Sequence, residues 1–261
     1  MQSYERVIEV MRMAREHLQE IISATEFTDS LALQLVQKHI PGAKSPLEAS
    51  IADGAATAHK FYMLIETAGG SREHNRAKIE SFLEALFAKY GDEVDGTMAE
   101  SESQAKGLWK LREGVPESAG KEGYVYKYDI SLPVAQMYEF VEKTRDRLQG
   151  LDALSMGYGH LGDGNLHLNI VTPRKSDEVL ARIEPWLFQE LKAVRGSVSA
   201  EHGLGQAKNR FMAYSKTDES IALMHQIRAL MDPKGILNPY KVTSDDGYEG
   251  LEGKTFPPTS Q

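Results

Sequence analysis

The chain has 261 residues, 41% of them hydrophobic, and carries 30 Lys and Arg against 38 Asp and Glu, a formal net charge of −8. That length and content bury a real core and read as a soluble globular protein. The acidic balance, with no basic run interleaved with aromatics, argues against nucleic acid as a partner, and the absence of cysteine excludes disulfides, iron–sulfur ligation, thiolate zinc sites and cysteine nucleophiles, so any metal must be held by His, Asp or Glu.

No apolar stretch approaches the roughly 20 residues that span a bilayer. The first residues lack the continuous apolar core of a secretory signal, and their acidic side chains are unlike a cleaved mitochondrial presequence. The first forty residues predict two helices. Val7, Val10, Met11, Ala14, Leu18, Ile21 and Ile22 lie at helical spacing as a core stripe, and Thr28 and Asp29 are capping candidates for the second helix. Residues 41–58, rich in small residues and without either period, predict an exposed loop.

A strand is expected at 60–69, a helix at 73–89, a short strand at 94–99 and a helix at 101–113. A strand over 124–133 and a helix over 134–148 follow. A second cycle runs from ALSMGYGH through the turn LGDGN to LHLNIVTP, then a helix over 176–194 and a short strand at 197–200. Successive strand–helix–strand units with hairpin links predict an α+β fold of ferredoxin-like units, its largely antiparallel sheet packed by helices on one face. A helix at 217–231 and the segment MDPKGILNPYKV form a C-terminal helical segment, and the polar, Gly- and Pro-rich tail needs no order. The expected parts are a helical segment and loop over 1–58, an α+β domain over 59–215, a helical segment over 216–245 and a flexible tail over 246–261.

The residues that carry chemistry cluster around GYGHLGDGNLHLNI. Asp163-Gly164 is the dipeptide best suited to a two-residue type I′ hairpin. Counting outward from it, Gly162 faces Asn165, Leu161 faces Leu166, and His160 faces His167. Two opposed imidazoles with Cβ atoms about 5 Å apart suit one metal ion, and Asn169 points to the same face. A structural surface pair is the competing reading. In AEHGLG, Glu201 would complete a His-His-carboxylate set with open positions for substrate, leaving His202 as a base; the alternative for His202 is a capping or buried hydrogen-bonded histidine. Gly157, Gly159 and Gly162 match G-x-G-x-x-G but lead into a turn and a strand, so no Rossmann phosphate site is expected.

At these residues the sequence resembles the C-terminal domain of the FAD-linked oxidase family, which includes D-2-hydroxyglutarate, D-lactate and glycolate dehydrogenases. The carrying motifs are GYGHLGDGNLHLNI, SVSAEHGLGQAKN and MDPKGILNPYKV. The likeness extends through ATEFTDSLALQLV, YMLIETAGG, VDGTMAES, LWKLREGVPES and GYVYKYDISLP, and its breadth points to the D-2-hydroxyglutarate branch, with D-lactate or glycolate as alternative substrates.

The resemblance implies metal ligation by His160, His167 and Glu201, with zinc, manganese or cobalt as the ion, and His202 as general base. It assigns Arg112, Lys127 and Asn169 to substrate and draws Asn238 toward the flavin. Where some relatives place a Thr four residues after the substrate Arg, this sequence has Pro116, which supplies no hydroxyl. The family's FAD is held mainly by another domain, toward which 216–245 would face. The chain is therefore expected to be a fragment or a subunit of a split enzyme, inactive without the flavin part, whose reduced flavin would pass electrons to an acceptor such as an electron-transfer flavoprotein. The compartment implied is the mitochondrion in a eukaryote and the cytoplasm in a bacterium. A metal-dependent hydrolase and a non-catalytic binding module are the rival classes.

Overall fold

The computed structural model describes residues 1–47 and 59–243. In chain order it forms α1 (Tyr4–Leu18), β1 (Ile22–Asp29), α2 (Ser30–His39), β2 (Phe61–Thr67), α3 (Arg72–Tyr90), α4 (Glu102–Glu113), α5 (Val115–Glu122) and β3 (Tyr124–Ser131). It continues with α6 (Met137–Arg147), β4 (Leu154–His160), β5 (Asn165–Thr172), α7 (Asp177–Ile183), α8 (Trp186–Ala193) and α9 (Asp218–Met231). The five strands make one sheet in the order β2-β1-β4-β5-β3. Every pairing is antiparallel, the α+β architecture that the strand and helix patterns predict.

Register sorts the side chains into two faces, because successive residues of a strand point opposite ways. One row across the sheet reads Phe27, Gly159, Leu166, Ile130. Its three side chains are fully buried in the main core with Val7, Ala14 and Leu18 of α1 and Phe140 and Val141 of α6. Gly159 is required there, since a Cβ would lie 2.1 Å from the carbonyl oxygen of Asn165. The opposite face is covered in part, so helices pack on both faces and not on one as expected. There Ala32 and Val36 of α2, the Ile40 that caps it, and Val115 and Ala119 of α5 form a smaller core with Met156, Tyr158 and Val171.

Several expectations are corrected. Between the two N-terminal helices lies a strand, β1, so Ile22 belongs to the sheet and not to a helical stripe. Thr25 to Asp29 are all buried, and a strand covered on both faces shows no alternation to read. Asp29, not Thr28, caps α2, its side chain accepting from Ala32 N–H. Residues 94–99 are in no strand. The helix expected over 176–194 is two helices, parted at Pro185, which has no N–H to continue the ladder. The strand expected at 197–200 reduces to one bridge, Ser131 to Ser197. The loop expected at 41–58 is non-regular over 41–47; its remainder and the expected tail at 246–261 lie outside the described residues.

One buried carboxylate ties these parts together. Asp29 is wholly inaccessible; Oδ1 accepts from Ala32 N–H at 2.9 Å. Oδ2 accepts from Gly157 N–H at 2.9 Å and from Arg145 at 2.8 Å. Burial pushes its pKa up, and the amides of Ala32 and Gly157 together with Arg145 work against that. Asp29→Ala would strip a helix cap, take the carboxylate partner from Arg145 and leave a strand amide unpaired, so it is expected to lower stability by on the order of 3 kcal/mol. Urea denaturation checks this; an unchanged midpoint would remove Asp29 from the account.

Candidate metal and substrate site

Beside that smaller core the second face carries three successive rows of mostly polar side chains. The first is Glu26, His160, Asn165 and Ser131; the second is Thr28, Tyr158, His167 and Asp129; the third is Met156, Asn169 and Lys127. The expected hairpin register is corrected here. His160 pairs with Asn165 and Tyr158 with His167, because the connection is four residues, 161–164, closed by Gly164 N–H to His160 O at 3.2 Å. Leu161 is drawn into the core at full burial, with its N–H on Thr25 O at 2.8 Å, and Gly164 takes a φ of 77°. The partner changes by two residues, so parity is kept and both histidines remain on one face as diagonal neighbours.

Their rings converge. Nε2 of His160 lies 3.4 Å from Nε2 of His167 and 3.1 Å from a carboxylate oxygen of Glu201. Ligand atoms of His160, His167 and Glu201 all fall within 4.8 Å of one another. Two nitrogens each ~2.0–2.1 Å from a tetrahedral ion stand roughly 3.3 Å apart, so the set fits one divalent cation.

Glu201 and His202 follow Ser197, the residue that bridges to β3, in a bend held from below by Asp129. Its Oδ2 accepts from the N–H groups of Ala200 (3.2 Å), Glu201 (2.9 Å) and His202 (2.8 Å). Burial works to raise the Asp129 pKa, but the amides of His202 and Glu201 and the imidazoles of His202 and His167 hold it below the usual carboxylate range. His167 is pushed down to about 4 by burial and by the charge of Arg112, so it is neutral near pH 7 with a lone pair available to a metal. His160 is raised by its hydrogen bond to Glu26, against the effect of burial.

Arg112 on α4 reaches Glu26 through Nε at 2.8 Å and lies 4.7 Å over the ring of Tyr158. Tyr158 in turn lies 5.0 Å from the ring of His167 and accepts a bond from Asn169 Nδ2 at 3.3 Å. Asn169 is buried, and Lys127, opposite it on β3, is exposed. The side chain of His202 is 61% exposed, its Nδ1 3.7 Å from Asp129. His160, His167, Glu201, His202, Arg112, Asn169 and Lys127 thus share one face of the sheet. Asn238 is in a separate groove of about 600 Å³ beside α9, with Met224, Ile227 and Arg228, where its side chain accepts from Lys241 and its carbonyl from Arg228. None of these contacts reaches the histidines.

Three residues of this cluster were not expected from the sequence. Glu26 was hidden by the missed strand. Asp129 had a readable signal, as a lone acid two residues beyond Lys127 in an otherwise apolar alternating strand. Tyr158 had none, being an ordinary strand aromatic.

The description FAD linked oxidases, C-terminal domain, matches residues 1–242. The chain belongs to that family. Within it, the mitochondrial D-2-hydroxyglutarate dehydrogenase of Danio rerio is 44% identical over 244 residues, covering 94% of this chain and 44% of the relative. The Arabidopsis thaliana protein of the same name is 47% identical over 229 residues, 88% of this chain and 39% of its own. This FAD-linked oxidase chain therefore spans less than half the length of these relatives. Among solved structures, p-cresol methylhydroxylase with substrate bound is similar at a TM-score of 0.57 and 14% identity, covering 94% of this chain and 51% of that one, a likeness of fold.

His160→Ala and His167→Ala are each expected to abolish stoichiometric binding of a divalent metal while leaving the fold intact, since neither side chain is part of the apolar core. Metal content by mass spectrometry, beside circular dichroism, checks this; retention of metal in both variants would move the site elsewhere.

Proposed function

We propose that this chain is the substrate- and metal-binding portion of an FAD-dependent D-2-hydroxyacid dehydrogenase that converts D-2-hydroxyglutarate to 2-oxoglutarate. The observation that carries the reading is the convergence of His160, His167 and Glu201 beside two cationic side chains, in a family whose matching relatives bear that enzyme's name. The ion would be zinc, manganese or cobalt, all compatible with imidazole and carboxylate donors. Neither glycine-rich segment, 157–164 or 203–205, opens an α-helix, so the dinucleotide would be held mainly by another domain or subunit. The α9 segment with Asn238 would face it.

When bound, the metal would supply Lewis acidity toward the 2-hydroxyl and its carboxylate, and the flavin would supply hydride-accepting chemistry. This chain's residues bind, orient and move the proton. Arg112 offers a planar fork to a carboxylate, and Lys127 a compact, solvent-facing charge to the second. In a chain of net charge −8, this local cationic pair also draws a dianion from solution. Asn169, pinned on Tyr158, limits how the substrate can turn. His202 takes the hydroxyl proton; Asp129 faces its Nδ1, which leaves Nε2 as the receiving atom. Pro116 forms the first turn of α5 and offers no hydroxyl, so Lys127 has the larger share in holding the far carboxylate. An electron-transfer flavoprotein would be the electron-accepting partner, and the compartment would be the mitochondrion in a eukaryote, as the relatives' names suggest, and the cytoplasm in a bacterium.

Calorimetric titration of the zinc-loaded chain tests the substrate assignment. D-2-Hydroxyglutarate is expected to bind more tightly than D-lactate, and Lys127→Ala to weaken the dicarboxylate about tenfold, ~1.4 kcal/mol, with D-lactate unchanged. Equal affinity for the two acids in both proteins would favour a monocarboxylate substrate instead.

A further inference from the structure

We propose that Glu26 and Asp129 are positioning residues that hold His160 and His167 in the same tautomer, proton on Nδ1 and Nε2 bare toward their shared point. The idea rests on the reading of that point as a metal site but is decided by a separate observable. Each acid sits directly across the ladder from the histidine it serves, Glu26 opposite His160 and Asp129 opposite His167. The hairpin β4–β5 is therefore flanked by one carboxylate on each side. Both acids are buried, at 3% and 2% exposure, where an ionised carboxylate is costly unless its oxygens are matched.

Glu26 is matched by two groups. One oxygen lies 2.8 Å from Arg112 Nε and the other 2.5 Å from His160 Nδ1. An ion-paired carboxylate only accepts, so Nδ1 is the donor, and a neutral imidazole with its proton on Nδ1 has a bare Nε2. Asp129 has one oxygen filled by three backbone amides. Its Oδ1 is buried without a hydrogen-bond partner and lies 3.7 Å from His167 Nδ1. That is longer than a hydrogen bond, and in the proposal His167 Nδ1–H is the donor that turns to satisfy that oxygen. Two bare nitrogens then face each other at 3.4 Å. Acceptor against acceptor, with a Glu201 oxygen a third at 3.1 Å from His160 Nε2, is repulsive until a cation enters between them, and Glu26 and Asp129 hold the rings there. Second-contact groups of this kind typically change metal affinity 10–100-fold. Glu26 also joins Arg112 to a metal ligand, and Asp129 joins the Glu201 and His202 backbone to the other.

The test is a long-range nitrogen–proton histidine spectrum of the ¹⁵N-labelled, metal-free chain at about pH 8.5, well above the ordinary histidine pKa, with zinc titrated into the same samples. The expected result is an Nδ1–H tautomer on both rings. Glu26→Gln should shift the His160 pattern alone and Asp129→Asn the His167 pattern, each with a 10–100-fold loss of zinc affinity. A proton on Nε2 of either ring in the unmodified chain overturns the proposal, even if a variant fails to fold. So does a variant that loses zinc affinity with its histidine tautomer unmoved. An unmodified chain that takes up no zinc defeats the metal reading itself, while its tautomers still decide what Glu26 and Asp129 do.

Discussion

The site depends on the antiparallel register of β4 with β5. That ladder places Tyr158 across from His167 and His160 across from Asn165, and the neighbouring ladders extend both rows outward to Glu26 on β1 and Asp129 on β3. A shift of one residue in any of the three would turn the shifted strand's members of the cluster into the core. The register is held on the other face, by Phe27, Leu166 and Ile130, which are all fully buried. Packing on one side of the sheet thus fixes chemistry on the other.

Buried acids are the costly part of the arrangement. Glu26, Asp29 and Asp129 each lie at 3% exposure or less, and each has its charge spread over donors rather than left alone. Asp29 is satisfied by a helix terminus, a strand amide and Arg145. Asp129 is satisfied on one oxygen by three successive amides of the loop bearing Glu201 and His202. The first arrangement joins α2 to the sheet. The second joins the loop to the strand beside His167.

Legibility in the sequence followed how local the determining forces are. The β4–β5 hairpin could be read because Gly164 and the flanking apolar residues are a local signal; its register could not, because Leu161 is drawn inward by contacts to β1, more than a hundred residues earlier. The strand β1 was missed since Thr25 to Asp29 are buried on both faces, and the face with Glu26 and Thr28 is polar for reasons of function. Lys127 and Asn169 could be placed on one face by parity within their strands, but that they oppose each other is a property of the ladder.

The amino-acid sequence by itself determined the α+β class, the absence of thiol chemistry, the family and the candidate ligands His160, His167 and Glu201, since composition, periodicity and motif are carried by residues close together in the chain. Only the tertiary structure decided that Glu26 stands behind His160, that Asp129 holds both His167 and the Glu201 loop, that Arg112 is engaged by a buried acid and that Asn238 lies apart. Those are contacts between segments distant in sequence, and they arise when the sheet closes around a shared core, which no local pattern encodes.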